Sequence, residues 1–198
     1  MLINKYTMQK HFLLIAFFIT ACFGATAQDR QSLEEAAMQM YTNTVAGNYE
    51  SVAGSTYPKV FEIIPKDKMM ESLKGMLNGD GYTMMLLKGN PNFEFGPVKK
   101  INDGNYSLVK HDLIMKMIFK EPVSDAEGKT MTENFKQAMQ TSDVSFEGKS
   151  NSFTIKKRVD VIFVSNKLTN NKWKFMNKAG HGLMVKIFDE KVVKEYGL

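Results

Sequence analysis

From Tyr106 to Phe119 the chain forms a long alternating run. Val109, His111, Leu113, Met115, Met117 and Phe119 fall in one phase, and Lys110, Asp112 and Lys116 in the other. A period of two puts successive side chains on opposite faces of an extended strand. A second run has the same period: Phe153, Ile155, Val159, Val161 and Phe163 alternate with Thr154, Lys156, Arg158 and Asp160. Two long half-buried strands require a sheet with a core against one face. The Asn102-Asp103-Gly104-Asn105 turn before the first run marks an antiparallel hairpin, since Asp-Gly tolerates the positive φ that such turns need.

Shorter strands are expected on either side. Tyr82–Leu87 is bounded by Gly89-Asn90-Pro91, and Phe93 to Ile101 carries Pro97 as the mark of an edge or bulge. Lys172-Trp173-Lys174-Phe175-Met176 reads as a late strand. The segment before Tyr82 is helical in pattern. Ser32-Leu33-Glu34-Glu35 has the form of a capping box, and Leu33, Ala36, Ala37, Met40, Tyr41 and Thr44 follow at helical spacing to a stop at Gly47, which predicts a helix over 33–46. A short helical piece runs from Asn48-Tyr49 towards Gly54, and Tyr57-Pro58 breaks it. A helix opening at Pro65 has Met69, Met70, Leu73, Met76 and Leu77 on one core-facing stripe. Residues 121–151 are the most polar stretch; Thr130-Met131-Thr132-Glu133 predicts a capped helix over about 131–141, with Asp143–Asn151 as ribbon or loop. Leu183–Ile187 is short and apolar, and Asp189–Tyr196 reads as a terminal helix. No internal repeat is present.

The first 27 residues read as an address. They contain no acidic residue; Lys5, Lys10 and His11 precede the apolar run Phe12–Ile19, which is too short to span a bilayer and has the length of a signal-peptide core. Ala25-Thr26-Ala27 precedes Gln28, which places cleavage at Ala27/Gln28 and a single domain over 28–198. Ile19-Thr20-Ala21-Cys22 offers a competing lipobox with Cys22 acylated, but Phe23–Ala27 continues as a cleavage region and not as a polar tether. The expected place is the periplasm or the exterior, with no transmembrane segment in the mature chain. The formal charge of +5 falls to +3 without Lys5 and Lys10. The densest basic run, Lys156-Lys157-Arg158, is not interleaved with stacking aromatics, so a nucleic-acid partner is not expected.

Helices first and long antiparallel strands afterwards make an α+β domain, with N-terminal helices packed on one face of a curved antiparallel sheet and a helical insertion near 121–151. A first helix closing on Gly47-Asn48-Tyr49, then Tyr57-Pro58, the Asn102–Tyr106 hairpin and the Asn171-Lys172-Trp173-Lys174-Phe175 strand together resemble the NTF2-like superfamily, the cystatin/NTF2-like cone of SnoaL and ketosteroid isomerase, over about residues 30–178. The 121–151 insertion and the tail after Asn177 depart from the short family pattern. The resemblance implies a ligand site at the mouth of the cone, between the concave sheet face and the helices. No position matches a catalytic motif of the family, so no catalytic role carries over.

Candidate ligand contacts are Tyr41, Tyr57, His111, Met115 and Trp173, with Phe93 and Tyr106 as further aromatics; each is also an ordinary core residue type. His111 stands in the apolar phase of its strand, as a ligand contact, a base or a core histidine bonded to backbone. No carboxylate shares that phase, since Asp112 and Asp160 fall in the other, which argues against proton transfer. His181 lies between two glycines, as in a surface turn. With three histidines and one cysteine in the chain, no metal site or cofactor is expected. Thirteen of the fifteen methionines lie beyond residue 27, as core filler or as the wall of an adaptable apolar pocket. Gly79-Asp80-Gly81 lacks the further glycines and the lysine of a phosphate loop. These readings favour an exported non-catalytic binder of a small apolar or amphipathic molecule or of a protein partner, a second copy through the sheet included. The alternatives are a cone-fold isomerase, cyclase or hydratase using His111, and a structural or interaction module of the envelope.

Overall fold

The computed structural model describes residues 29–198, so the leader, Cys22 and the Ala27/Gln28 junction lie outside the described residues. The two alternating runs form the spine of a seven-stranded, wholly antiparallel open sheet. Strands are β1 (Tyr82–Leu87), β2 (Glu94–Phe95), β3 (Lys99–Ile101), β4 (Gly104–Phe119), β5 (Val144–Glu147), β6 (Ser152–Ser165) and β7 (Lys174–Asn177). β4 and β6 pair along nearly their whole length, from Asn105↔Ser165 to Ile118↔Ser152. The free side of β4 takes β3, β2 and β1 in succession, and the free side of β6 takes β7 and β5. Neither flank is one long strand, because Gly96-Pro97 and the polar loops interrupt them. Phe93–Ile101 is accordingly two short strands where the sequence predicts one.

Seven α-helices are present among the described residues: α1 over 29–45, α2 (Tyr49–Ser55), α3 (Lys59–Ile63), α4 (Lys66–Leu77), α5 (Asp125–Met139), α6 (His181–Ile187) and α7 (Glu190–Tyr196). The odd-numbered face of β4 carries the first two hydrophobic clusters. Leu33, Ala37, Met40 and Tyr41 of α1 close over Val109, Val161, Phe163 and Phe175. Further along, Met131, Phe135 and Met139 of α5 cover Met117, Val144, Phe153 and Ile155. The even-numbered face near Tyr106 and Leu108 packs against Met184, Ile187, Phe188 and Val192 of the C-terminal segment. Helices therefore cover both faces, where the sequence predicts one. The two sides of β6 near Ile162, Val164 and Met176 are both apolar, and a strand buried on both faces needs two covering layers.

Three helix boundaries differ from expectation, each for a local reason. Helix α1 already runs at residue 29, so Ser32 lies inside it and its hydroxyl donates to the Asp29 carbonyl at 3.0 Å instead of capping. Helix α5 starts at Asp125 because Ser124 and Glu127 form the reciprocal capping box, with Glu127 N–H on Ser124 Oγ at 3.3 Å and Ser124 N–H on Glu127 Oε2 at 2.9 Å. Thr130 falls mid-helix and donates to the Ala126 carbonyl instead. His181 opens helix α6 and is not a turn residue; its Nδ1 lies 2.6 Å from the Leu198 carbonyl oxygen, tying the tail to the helix start.

Gly128 is the buried residue of α5, and a Cβ there would stand 2.3 Å from Cδ1 of Phe146, whose ring is itself pressed on Phe153 at 4.8 Å. Alanine favours a helix interior by about 1 kcal/mol over glycine. The overlap outweighs that gain, since relieving it requires the Phe146 ring to leave its packing on Phe153. Gly128→Ala is expected to lower the unfolding free energy by about 1–3 kcal/mol in urea titration, whereas Gly75→Ala in α4, with nothing within 4 Å of the new Cβ, is expected to be neutral or stabilising.

Candidate functional site

Between α1 and α5 the odd face of the sheet is covered by a different layer. There the C-terminal end of α1 (Met40, Thr44), α2 (Tyr49, Val52) and α4 (Leu73, Met76, Leu77) roof a cavity of about 190 Å³. Its floor is His111, Leu113 and Met115 of β4, flanked by Met84 and Leu86 of β1 and by Val159 of β6. The floor follows from register: Leu86 pairs with Met115, Met84 with Met117 and His111 with Val159, so all of these side chains rise from one face. The lining is mostly apolar, and four methionines stand in it: Met40, Met76, Met84 and Met115. Unbranched thioethers adapt to irregular shapes, which suits a wall that must close on something of variable outline.

The roof is its least anchored part. Helix α4 has no buried residue, although the sequence places a core-facing stripe on it; Met76 is 48% exposed. It is tied down by an exposed ion pair between Lys66 Nζ and Glu50 Oε2 at 2.7 Å, an interaction of low strength in water. Of its apolar stripe, Leu73, Met76 and Leu77 line the cavity, Leu77 also packing against the sheet cluster, and Met70 faces a separate surface concavity. A helix with so little buried contact is expected to open at lower free energy than the sheet beneath it.

His111 is the deeply buried polar side chain on the floor, 4% exposed. The rings of Tyr41 and Phe93 stand edge-on or tilted to its imidazole, both at 5.7 Å. Its Nδ1 lies 3.1 Å from the carbonyl oxygen of Asp112. A carbonyl oxygen only accepts, so Nδ1 carries the proton and Nε2 the lone pair. Nε2 has no partner among the described residues, yet no fully sealed side-chain nitrogen or oxygen is left unbonded, so Nε2 retains contact with open space. Burial pushes the His111 pKa below the ordinary value, with the nearby Arg158 charge adding to the effect and the Asp112 carbonyl opposing it. The neutral ring is therefore the resting form.

Because the folded pKa lies below the unfolded one, the unfolded chain takes up the proton first as pH falls. The stability that neutral His111 provides is whole above about pH 6.5 and is lost as pH drops from there towards the lowered folded value. Wild type is thus expected to lose more stability between pH 7.5 and pH 5.5 than His111→Phe, measured by urea unfolding at the two values. An equal loss in both proteins would show that His111 does not titrate out of register with the unfolded state.

Asp112 points to the other face and cannot act on the His111 ring. Asn92 Nδ2 donates to its Oδ2 at 2.7 Å, Arg158 to its Oδ1 at 3.1 Å, and Lys156 Nζ lies 3.3 Å away. The Asn92 bond, with Arg158 and Lys156 beside it, holds the carboxyl below the usual carboxylate range against the opposing effect of burial. Two members of the basic run are thus spent on Asp112, and Arg158 also reaches Glu94 Oε2 at 3.3 Å.

Of the five candidate contacts, the structure brings three together: His111 and Met115 line the cavity and Tyr41 packs against His111 while exchanging 3.1 Å bonds with Gly89 N–H and carbonyl. Tyr57 lies in the C-terminal cluster, stacked on Phe188 at 5.8 Å, because its N–H bonds the Phe175 carbonyl at the sheet edge. Trp173 packs beside α1 and donates Nε1–H to Ser32 Oγ at 3.0 Å. Leu73 and Met76 are wall residues that the sequence pattern places in the core, while Leu77 both lines the wall and packs against the cluster of Met84, Met115 and Phe153. The Asn78–Gly81 stretch ends α4 where the sequence predicts, but no local pattern says that the helix roofs a cavity.

A second concavity of about 570 Å³ lies beside Phe119, Pro122, Val123 and the start of α5, but it is open and its lining is exposed or half-buried. Among the described residues no three His, Cys, Asp or Glu side chains gather as a metal site, and no helix is long and apolar enough to cross a membrane. A scan against models of known protein families finds no match to this chain, and a search of curated proteins finds none either.

Proposed function

We propose that the protein is an exported, NTF2-like cone whose role is to bind a small apolar molecule in the cavity beneath α4. The observation that carries the reading is the cavity itself: about 190 Å³, lined mostly by Leu, Met, Val and Phe side chains, between the odd sheet face and helices α1, α2 and α4. An apolar cavity of about 150 Å³ is known to stay dry and to accept benzene, so this volume suits a single substituted ring, and movement of α4 would admit more. Helices α1, α2 and α4 over the odd sheet face support the cone reading, while Val60 of α3 packs into the cluster on the other face. The α5–β5 insertion and the α6–α7 tail are this chain's own additions. A proton-transfer enzyme is disfavoured because the one ionisable group on the floor is a neutral histidine with Asp112 turned to the opposite face.

The test is titration of the ¹³C-methyl-methionine protein with toluene. Shifts are expected at Met40, Met76, Met84 and Met115, and none at Met176 or Met184, which lie in the cluster on the opposite sheet face. Saturation with toluene without any methyl response would overturn the reading.

A further inference from the structure

We propose that the cavity selects a ring bearing a single hydroxyl donor, a phenol or an aryl alcohol, and that Nε2 of His111 accepts the hydrogen bond from that hydroxyl. This rests on the cavity-binding reading and adds the chemical class of the ligand. The floor presents one buried nitrogen whose role is fixed: the Asp112 carbonyl at 3.1 Å takes the proton of Nδ1, leaving Nε2 with a lone pair and no partner among the described residues. The other polar groups of the wall do not compete for it. Thr44 gives its hydroxyl proton to the Met40 carbonyl at 2.8 Å, and Tyr49 and Asn177 stand at the partly exposed rim. A purely hydrocarbon ligand would bury Nε2 against carbon and leave its lone pair unsatisfied. A ligand hydroxyl replaces the water that Nε2 would otherwise hold, and the surrounding rings and thioethers take the apolar body. A charged ligand is disfavoured, since no ionised side chain lines this space to pair with it. Selectivity of this kind is large relative to what a methylene supplies, because the penalty falls on the ligand that lacks the donor.

The experiment compares phenol and toluene on wild type, His111→Phe and His111→Gln, reading dissociation constants from the methionine methyl shifts. The ratio of the toluene constant to the phenol constant is expected to fall about tenfold from wild type to His111→Phe, and to be partly kept in His111→Gln, whose carbonyl oxygen still accepts. Should His111→Phe fail to fold, the ¹⁵N imidazole spectrum of wild type answers the same question. Nε2 is expected to resonate as a bare nitrogen, to move upfield with phenol and to stay in place with toluene. Both ligands binding with an unchanged ratio, or Nε2 found protonated, would overturn the hydroxyl selectivity and leave the cavity reading intact. Neither ligand binding would overturn both.

Discussion

Phe153→Ala is expected to lower the unfolding free energy by about 3–5 kcal/mol. Phe153 is fully buried. Its ring meets Phe146 at 4.8 Å, Phe135 at 5.0 Å and Phe119 at 5.6 Å, so one side chain joins β6, β5, α5 and the end of β4. Truncation removes the transfer energy of a whole ring and leaves a hole between elements that cannot collapse together, because β4 and β6 are held in register by their ladder. The check is urea unfolding followed by circular dichroism. A loss below about 1.5 kcal/mol would mean that α5 is not packed on the sheet as described, since an exposed or loosely packed ring costs little to remove.

Leu113→Trp is expected to abolish toluene binding while changing stability by no more than about 1 kcal/mol. Leu113 is half-buried on the cavity floor beside His111, so an indole there extends into open space and not into packed atoms. Overpacking is destabilising only where there is no room. A ring of toluene's size in such a cavity binds with a constant of about 0.1–1 mM, or about 4–5.5 kcal/mol, and all of that is forfeited when the indole takes its place. The readout is the methionine methyl titration, repeated on the variant. Undiminished binding would place the ligand somewhere other than the floor of this cavity.

The sheet was readable from the chain because its two spine strands carry a period of two along most of their length. His111, Leu113, Met115 and Met117 were placed on one face, and Lys110, Asp112 and Lys116 on the other, from alternation alone, and the register agrees. The strand Tyr82–Leu87 falls on its expected bounds for the same reason. What alternation does not carry is which element covers which face. The C-terminal helices lie on the even face because Ile162, Val164 and Met176 are apolar there too, and no local pattern distinguishes a strand buried on both sides from one buried on one. Helix α5 shows a competition between two cap signals of equal form: Ser124-x-x-Glu127 prevails over Thr130-x-x-Glu133 because the former follows Pro122 and can set an extended N-cap at ψ 157°. In the hairpin the positive φ falls on Asn102, at 51°, and not on Gly104, which pairs with Ile101 beneath the Tyr106 ring.

The candidate site was half legible. Its floor is strand, so alternation found it. Its roof is α4, whose stripe of Met and Leu looks identical in sequence whether it meets a core or a cavity. Tyr57 and Trp173 are aromatic residues near the right elements, but the face on which each ring lies is set by the edge bond from Tyr57 to Phe175 and by the reach of Trp173 to Ser32, both long-range contacts.

Bromobenzene diffused into crystals of the protein puts the account to its most direct trial, because bromine reveals its own position by anomalous scattering. The strongest bromine peak is expected under α4, in contact with Leu113, Leu86 and Met76 and next to the imidazole of His111. A peak confined to the open groove at the start of α5, or none inside the protein at saturating halide, would contradict the claim that this fold encloses a site for a small apolar molecule.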